Sequence, residues 1–192
     1  MARVTGLRAQ RGGRILVQVD GKDWRVLGAD VVVRARLTLG TELDRQRLRD
    51  VARERRRAEA LAAAAAALRV RDLPARRLEQ RLARRAIPPA SRREAVETLE
   101  AAGVVDDERY ARNRALALSG RAAGDAAIRY DLEQQGVASE LIDFAIAALE
   151  PERLRMERIV STRGRSAATA RFLARKGFGQ DAVESAAGEV LG

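Results

Sequence analysis

Three stretches of the chain share one apolar spacing and nearly one helix-ending sequence, which marks a tandem repeat. Leu82-Ala83-Arg84-Arg85-Ala86-Ile87, Leu132-Glu133-Gln134-Gln135-Gly136-Val137 and Leu173-Ala174-Arg175-Lys176-Gly177-Phe178 each read as the last turn of a helix closed by a small residue and a buried hydrophobe. Gly136 and Gly177 stand where a left-handed C-terminal cap favours glycine. Leu78, Ile128 and Thr169 precede the anchors Ile87, Val137 and Phe178 at one fixed spacing. Ala95, Val96 and Leu99 follow the first anchor, Ala145, Ile146 and Leu149 the second, and Ala186, Ala187 and Val190 the third. These are helical periods on both sides of a tight turn.

The pattern predicts three modules of three helices from residue 58 onward, at 58–105, 106–150 and 151–192. First helices are expected over 58–69, 106–118 and 151–161. Asp106-Asp107-Glu108 places three acids at a helix start, where they cap free amides and suit the helix dipole. Within the first module, Pro88-Pro89 and a Ser91/Glu94 capping box predict a third helix that starts a turn late. Ala86 replaces the capping glycine, so a left-handed backbone there implies strain of about 1 kcal/mol.

The first 43 residues alternate differently. Ile15-Leu16-Val17-Gln18-Val19 is a β-branched run between the turn signals Gly12-Gly13 and Asp20-Gly21, which predicts a small β-meander over residues 3 to about 27, with Trp24 in its core. A short helix over 29–35 follows, and Asp44 caps a long basic helix over 44–69 with Leu48 and Val51 inward. Its segment 44–57 reads as a linker, and its charge run Arg53-Glu54-Arg55-Arg56-Arg57 suits either a solvated face or phosphate contact. The fold class is therefore mainly α: three tandem, helix-turn-helix-like three-helix repeats in an elongated curved array, behind a small β-containing extension.

Composition narrows the chemistry. Only 3% of the 192 residues are aromatic, which disfavours a base-stacking platform. The absence of Cys and His removes thiol chemistry and the usual zinc ligands, and no run approaches a membrane span. A cytoplasmic location is expected. The net charge of +10 is uneven: +8 over 1–57, +3 over 58–105, −4 over 106–150 and +3 over 151–192. Basic regions flanking an acidic middle favour polyanion contact at the ends. There is no phosphate loop and no nucleophile with a base, and Asp106-Asp107 and Glu150 with Glu152 have capping or surface explanations. No catalytic residue, metal site, cofactor or small-molecule substrate is expected. Tyr110 and Tyr130, within helical apolar patterns, are expected to pack with their hydroxyls at the surface.

Gly103-Val104-Val105-Asp106-Asp107-Glu108-Arg109-Tyr110-Ala111, followed by Gly124, Ile128-Arg129, Leu132 and Gly136-Val137, resembles the most recognisable stretch of the RecX family. The resemblance covers about 58–192, and Gly40-Thr41-Glu42-Leu43-Asp44 is similar to the β-containing extension of some members. It implies a non-enzymatic regulator that binds the RecA recombinase filament on DNA and limits filament growth or promotes disassembly. It also implies non-specific contact with DNA, single- or double-stranded. The middle module departs from the family: Ala126, Ala127, Gln134 and Gln135 stand where basic residues are common. Contact is therefore expected on Arg76, Arg77, Arg81, Arg84 and Arg85 in the first module and on Arg163, Arg165, Arg171, Arg175 and Lys176 in the third. Arg77, Arg81, Arg84 and Arg85 fall at neighbouring helical positions beside Leu78 and Leu82. A general DNA-binding or architectural helical-repeat protein, and a scaffold for another protein, remain the alternatives.

Overall fold

The computed structural model describes residues 2–187. Three antiparallel strands, β1 (Val4–Gln10), β2 (Arg14–Val19) and β3 (Lys22–Gly28), form a meander in sequence order. Ten helices follow among the described residues: α1 (Ala29–Arg34), α2 (Arg45–Leu68), α3 (Ala75–Ala83), α4 (Pro89–Ala101), α5 (Asp107–Ser119), α6 (Asp125–Gln135), α7 (Ser139–Ala147), α8 (Glu152–Arg163), α9 (Ala167–Arg175) and α10 (Gln180–Ala187). The chain divides into two compact units. One holds the sheet, α1, α2, α4 and Leu78–Ala102; the other holds Asp72–Arg77 and everything from Gly103.

In the first unit the sheet covers its inner face with α1 and the start of α2. Val4, Val17, Leu27, Val31, Val32, Leu37, Leu43 and Val51 form this core, and the expected Trp24 packs half-buried at its edge. Asp44 caps α2 by accepting from the Arg47 amide at 2.6 Å. Further along α2, Ala60, Ala64 and Ala67 are buried on one stripe. Small side chains there permit close approach of α4, which buries Ala95 and Val96. The Arg57 guanidinium lies 2.5 Å from Glu94, so one member of the charge run is committed to packing. α2 continues through residues 57 and 58 without a break.

The second unit contains two complete three-helix modules. α5, α6 and α7 surround Ala111, Ala115, Ile128, Leu132, Val137, Ile142 and Ala145. α8, α9 and α10 surround Met156, Val160, Leu173, Phe178 and Ala186. Each fully buried Leu or Ile contributes about 1.5–3 kcal/mol.

The shared turn has the same hydrogen bonds in all three modules. The amides of Ile87, Val137 and Phe178 bond back to the carbonyls of Leu82, Leu132 and Leu173 at 3.4, 3.2 and 3.1 Å. The preceding residue is left-handed each time: Ala86 at φ 57°, Gly136 at 83° and Gly177 at 77°. Only Ala86 carries a Cβ into that region, with strain of about 1 kcal/mol.

Four sequence expectations differ from the structure. α4 starts in register with α7, because Pro88 and Pro89 supply the fixed φ of a helix start and need no amide partner. Ser91 is therefore the third residue of α4, within its first turn, and buried, and the Glu94 side chain turns to Arg57. Leu48 is exposed, since Arg47, bonded to the Ala35 carbonyl, and Val51 one turn later take the inward side of α2. Tyr130 is 64% exposed on the outer side of α6, whereas Tyr110 packs half-buried against the second-module core. Val190 of the third module lies outside the described residues.

Candidate filament- and DNA-contact surface

The motif 106–111 is structural in each of its residues. Asp106 caps α5 by accepting from the Arg109 amide at 2.9 Å. The Arg109 guanidinium turns back to the carbonyls of Gly103 and Val104 at 3.2 and 3.1 Å and closes the preceding turn. Asp107 accepts from the Ala75 amide at 2.8 Å, capping α3 from a distance in sequence. Burial pushes the Asp107 carboxyl above its ordinary value, more than the Ala75 bond lowers it, and Asp106 and Asp72 add to the rise. Glu108 pairs with Arg112, and Tyr110 and Ala111 face the core. Ile128 and Leu132 are fully buried, Arg129 reaches Asp143 at 2.5 Å, and Gly136 makes the left-handed turn. These residues specify the module.

The ten basic candidates separate into two kinds. Five have internal roles. The Arg77 guanidinium donates to the Gln134 carbonyl at 2.5 Å. Arg163 lies over the Phe172 ring at 4.3 Å, and Arg165 donates to the Ser185 carbonyl at 2.5 Å. Lys176 donates to the Arg121 carbonyl at 3.0 Å beside the same ring, and the Arg76 stem packs against Gly136. The other five, Arg81, Arg84 and Arg85 in the first unit and Arg171 and Arg175 in the second, have no ion pair or side-chain hydrogen bond among the described residues. Arg84, Arg85, Arg171 and Arg175 are exposed, and Arg81 is half-buried. Arg76 and Arg77 belong to the second unit, apart from Arg81, Arg84 and Arg85.

Sequence reasoning gave Glu152 a capping or surface role but found neither its partners nor the buried Arg155 beside it. Arg155, 5% exposed, donates to the Glu150 carbonyl at 2.9 Å, the Ala123 carbonyl at 2.8 Å and the Asp125 carboxylate. Glu152 accepts from the Asp125 amide at 2.7 Å and the Gly179 amide at 3.1 Å, so one carboxylate caps the starts of both α6 and α10. The Gly124 amide donates to the Lys176 carbonyl at 2.8 Å, and a Cβ on Gly124 would fall 2.2 Å from the Gly177 oxygen. Gly124 is therefore the close-approach point of the two modules. The signal available in the sequence was a glycine before a helix start, which alone does not reveal its partner.

No helix among the described residues is long and apolar enough to cross a membrane, and no group of three or more potential metal-ligating acids occurs among them. A three-stranded antiparallel sheet followed by ten helices among the described residues, several of them carrying exposed arginines, defines a mainly helical protein with a small N-terminal sheet. No family model matches the chain. It is 33% identical to the regulatory protein RecX of Halorhodospira halophila over 135 residues, which span 64% of this chain and 84% of that protein. A crystal structure of regulatory protein RecX superposes with a TM-score of 0.83 at 23% identity, covering 96% of this chain and 98% of the other. RecX from Lactobacillus salivarius gives 0.60 at 15% identity, over 68% and 94%. The chain belongs to the RecX family. It is a regulatory protein of that family and not an enzyme.

Proposed function

We propose that the chain binds a RecA filament on DNA and inhibits its growth and ATP turnover. The observation that carries this reading is membership of the RecX family, supported by exposed arginines that no internal acid neutralises. In this reading Arg81, Arg84, Arg85, Arg171 and Arg175 meet DNA phosphates or acidic filament surface. The internally engaged Arg76, Arg77, Arg163, Arg165 and Lys176 contribute field more than contact. In this reading the three modules, at 58–105, 106–150 and 151–192, each contact the filament, and each added contact raises avidity. The protein works in the cytoplasm, where such filaments form.

The test is RecA's DNA-dependent ATP turnover. Added protein at substoichiometric amounts suppresses turnover, and replacing Arg171 and Arg175 together by Glu raises the concentration required about tenfold. No effect at equimolar protein rejects the reading. Equal affinity for naked and RecA-coated DNA would favour a general DNA-binding protein instead. Binding weakens as salt rises, in proportion to the phosphates neutralised.

A further inference from the structure

A cavity of about 450 Å³ opens in the second unit between the end of α5, α8 and α9. Its walls are apolar: Ile159, Phe172 and Phe178, closed on one side by Gly120 and Ala122 of the turn after α5. Its rim is cationic. Arg158 and Arg163 line it, Lys176 lies over the Phe172 ring with its Nζ 5.8 Å from the centroid, and Arg121 stands between Gly120 and Ala122 in the chain. Arg155 forms part of the floor, with its charge answered by Asp125. Arg158 is answered by Glu150. Arg163 rests on Phe172, and Lys176 is bonded to a backbone carbonyl, so neither has a carboxylate partner among the described residues.

We propose that this cavity is a docking site for an acidic segment of a partner protein that inserts one apolar side chain. The size lies in the range of roughly 300–1,000 Å³ over which ordered sites enclose a ligand group. The apolar walls then take a leucine side chain, which needs no free ring face, and carboxylates on either side of it reach Arg163 and Lys176. An unstacked nucleobase fits less well, because the Phe172 ring is already covered by the Arg163 guanidinium at 4.3 Å and Phe178 is 6% exposed. The site is independent of the filament reading, since it requires neither RecA nor DNA.

The experiment uses the full chain and a fluorescein-labelled peptide of alternating Asp and Glu with a central Leu-Leu pair. Fluorescence anisotropy is expected to show saturable binding, lost when the pair becomes Ala-Ala. Arg163→Glu, at an exposed position in the last turn of α8, weakens binding about tenfold. Phe172→Leu, which keeps apolar volume, weakens it by several-fold. Arg153→Glu makes the same charge change on α8 at a residue that does not line this cavity, and leaves binding within a factor of two or so. Equal binding of the Ala-Ala peptide overturns the proposal, as does equal loss in Arg153→Glu and Arg163→Glu. Displacement of the peptide by oligo-dT, with the same dependence on Phe172, would assign the cavity to single-stranded nucleic acid and also overturn it.

Discussion

The starts of α6 and α9 occupy the same place in successive modules and are held in opposite ways. At α6 the N-cap is Gly124, which has no side chain to offer, and the first free amides are taken from outside the module: Gly124 by the Lys176 carbonyl, Asp125 by Glu152, Ala126 by the Gly177 carbonyl at 3.2 Å. At α9 the N-cap is Ser166, whose own hydroxyl accepts from the Thr169 amide at 3.2 Å, while its amide goes to the Ala186 carbonyl of its own module. An interior module delegates its helix cap to the next module and so requires it. The start of α9 is instead capped within its own module, by the Ser166 hydroxyl and the Ala186 carbonyl.

The contrast is broken most severely at Gly124. A Cβ there would lie within 2.3 Å of backbone atoms of Gly177 and Phe178, and backbone does not swing aside as a side chain does. Gly124→Ala is expected to destabilise the protein by about 3 kcal/mol, from overpacking together with lost amide caps. In thermal unfolding this is a fall of about 6–12 °C for a chain of this size. Gly120→Ala is the control: its Cβ would meet the nearest atom at 3.5 Å with an ordinary φ of −62°, so its midpoint stays within a degree or two.

Arg155→Met comes next. Methionine keeps the apolar stem of the arginine but leaves the Ala123 carbonyl and the Asp125 carboxylate without their donor. Removing one partner of a buried pair costs about 3 kcal/mol, whereas removing both is far milder. The Arg155→Met/Asp125→Asn double variant should therefore recover a third or more of the loss in denaturant unfolding. A double variant that falls by the sum of the two single effects would show that Arg155 acts through packing alone.

How much of this was legible in the sequence follows from the range of the interaction. The shared turns were legible because a glycine or alanine before a hydrophobe is a local signal, and the observed φ of +57° at Ala86 matches the expectation raised by its missing glycine. The β-meander and the Asp44 and Asp106 caps were equally local. The Ser91/Glu94 box failed because two prolines settle the same helix start without help. Tyr130 failed because it sits beside Ile128 in sequence but points from the opposite side of α6. Among the basic candidates, sequence could place Arg77 and Arg81 one turn apart but could not reveal that the Gln134 carbonyl engages the first. The Arg155 and Glu152 cluster was illegible for the same reason: its partners lie about thirty residues away, where no spacing rule reaches.

A smaller effect separates the two starts from the other side. Ser166→Ala removes a cap that α9 supplies to itself, and about 1 kcal/mol should be lost. Because the start of α9 is capped within its own module, native-state hydrogen exchange should quicken only in the first turn of α9, with α6 unaffected. Faster exchange in α6 would mean that the two starts are coupled after all.

The smallest effect concerns the start of α3, which is capped from outside like that of α6, by Asp107 on the Ala75 amide. Burial raises the Asp107 carboxyl above its unfolded value, so the folded state holds its proton more tightly than the unfolded chain does. Stability from this group is therefore full below the unfolded value and declines as pH rises through the folded one. Asp107→Asn keeps a carbonyl oxygen for Ala75 and removes the ionisation. Relative to the parent chain it should be near neutral in acid and stabilised by a few tenths of a kcal/mol at neutral pH, the magnitude expected for a half-buried group whose shift is partly screened. Comparison of denaturation midpoints on the two sides of the carboxylate range measures the sign directly. A variant less stable at neutral pH than in acid, relative to the parent, would mean that the charge on Asp107 strengthens the cap by more than its desolvation weakens it.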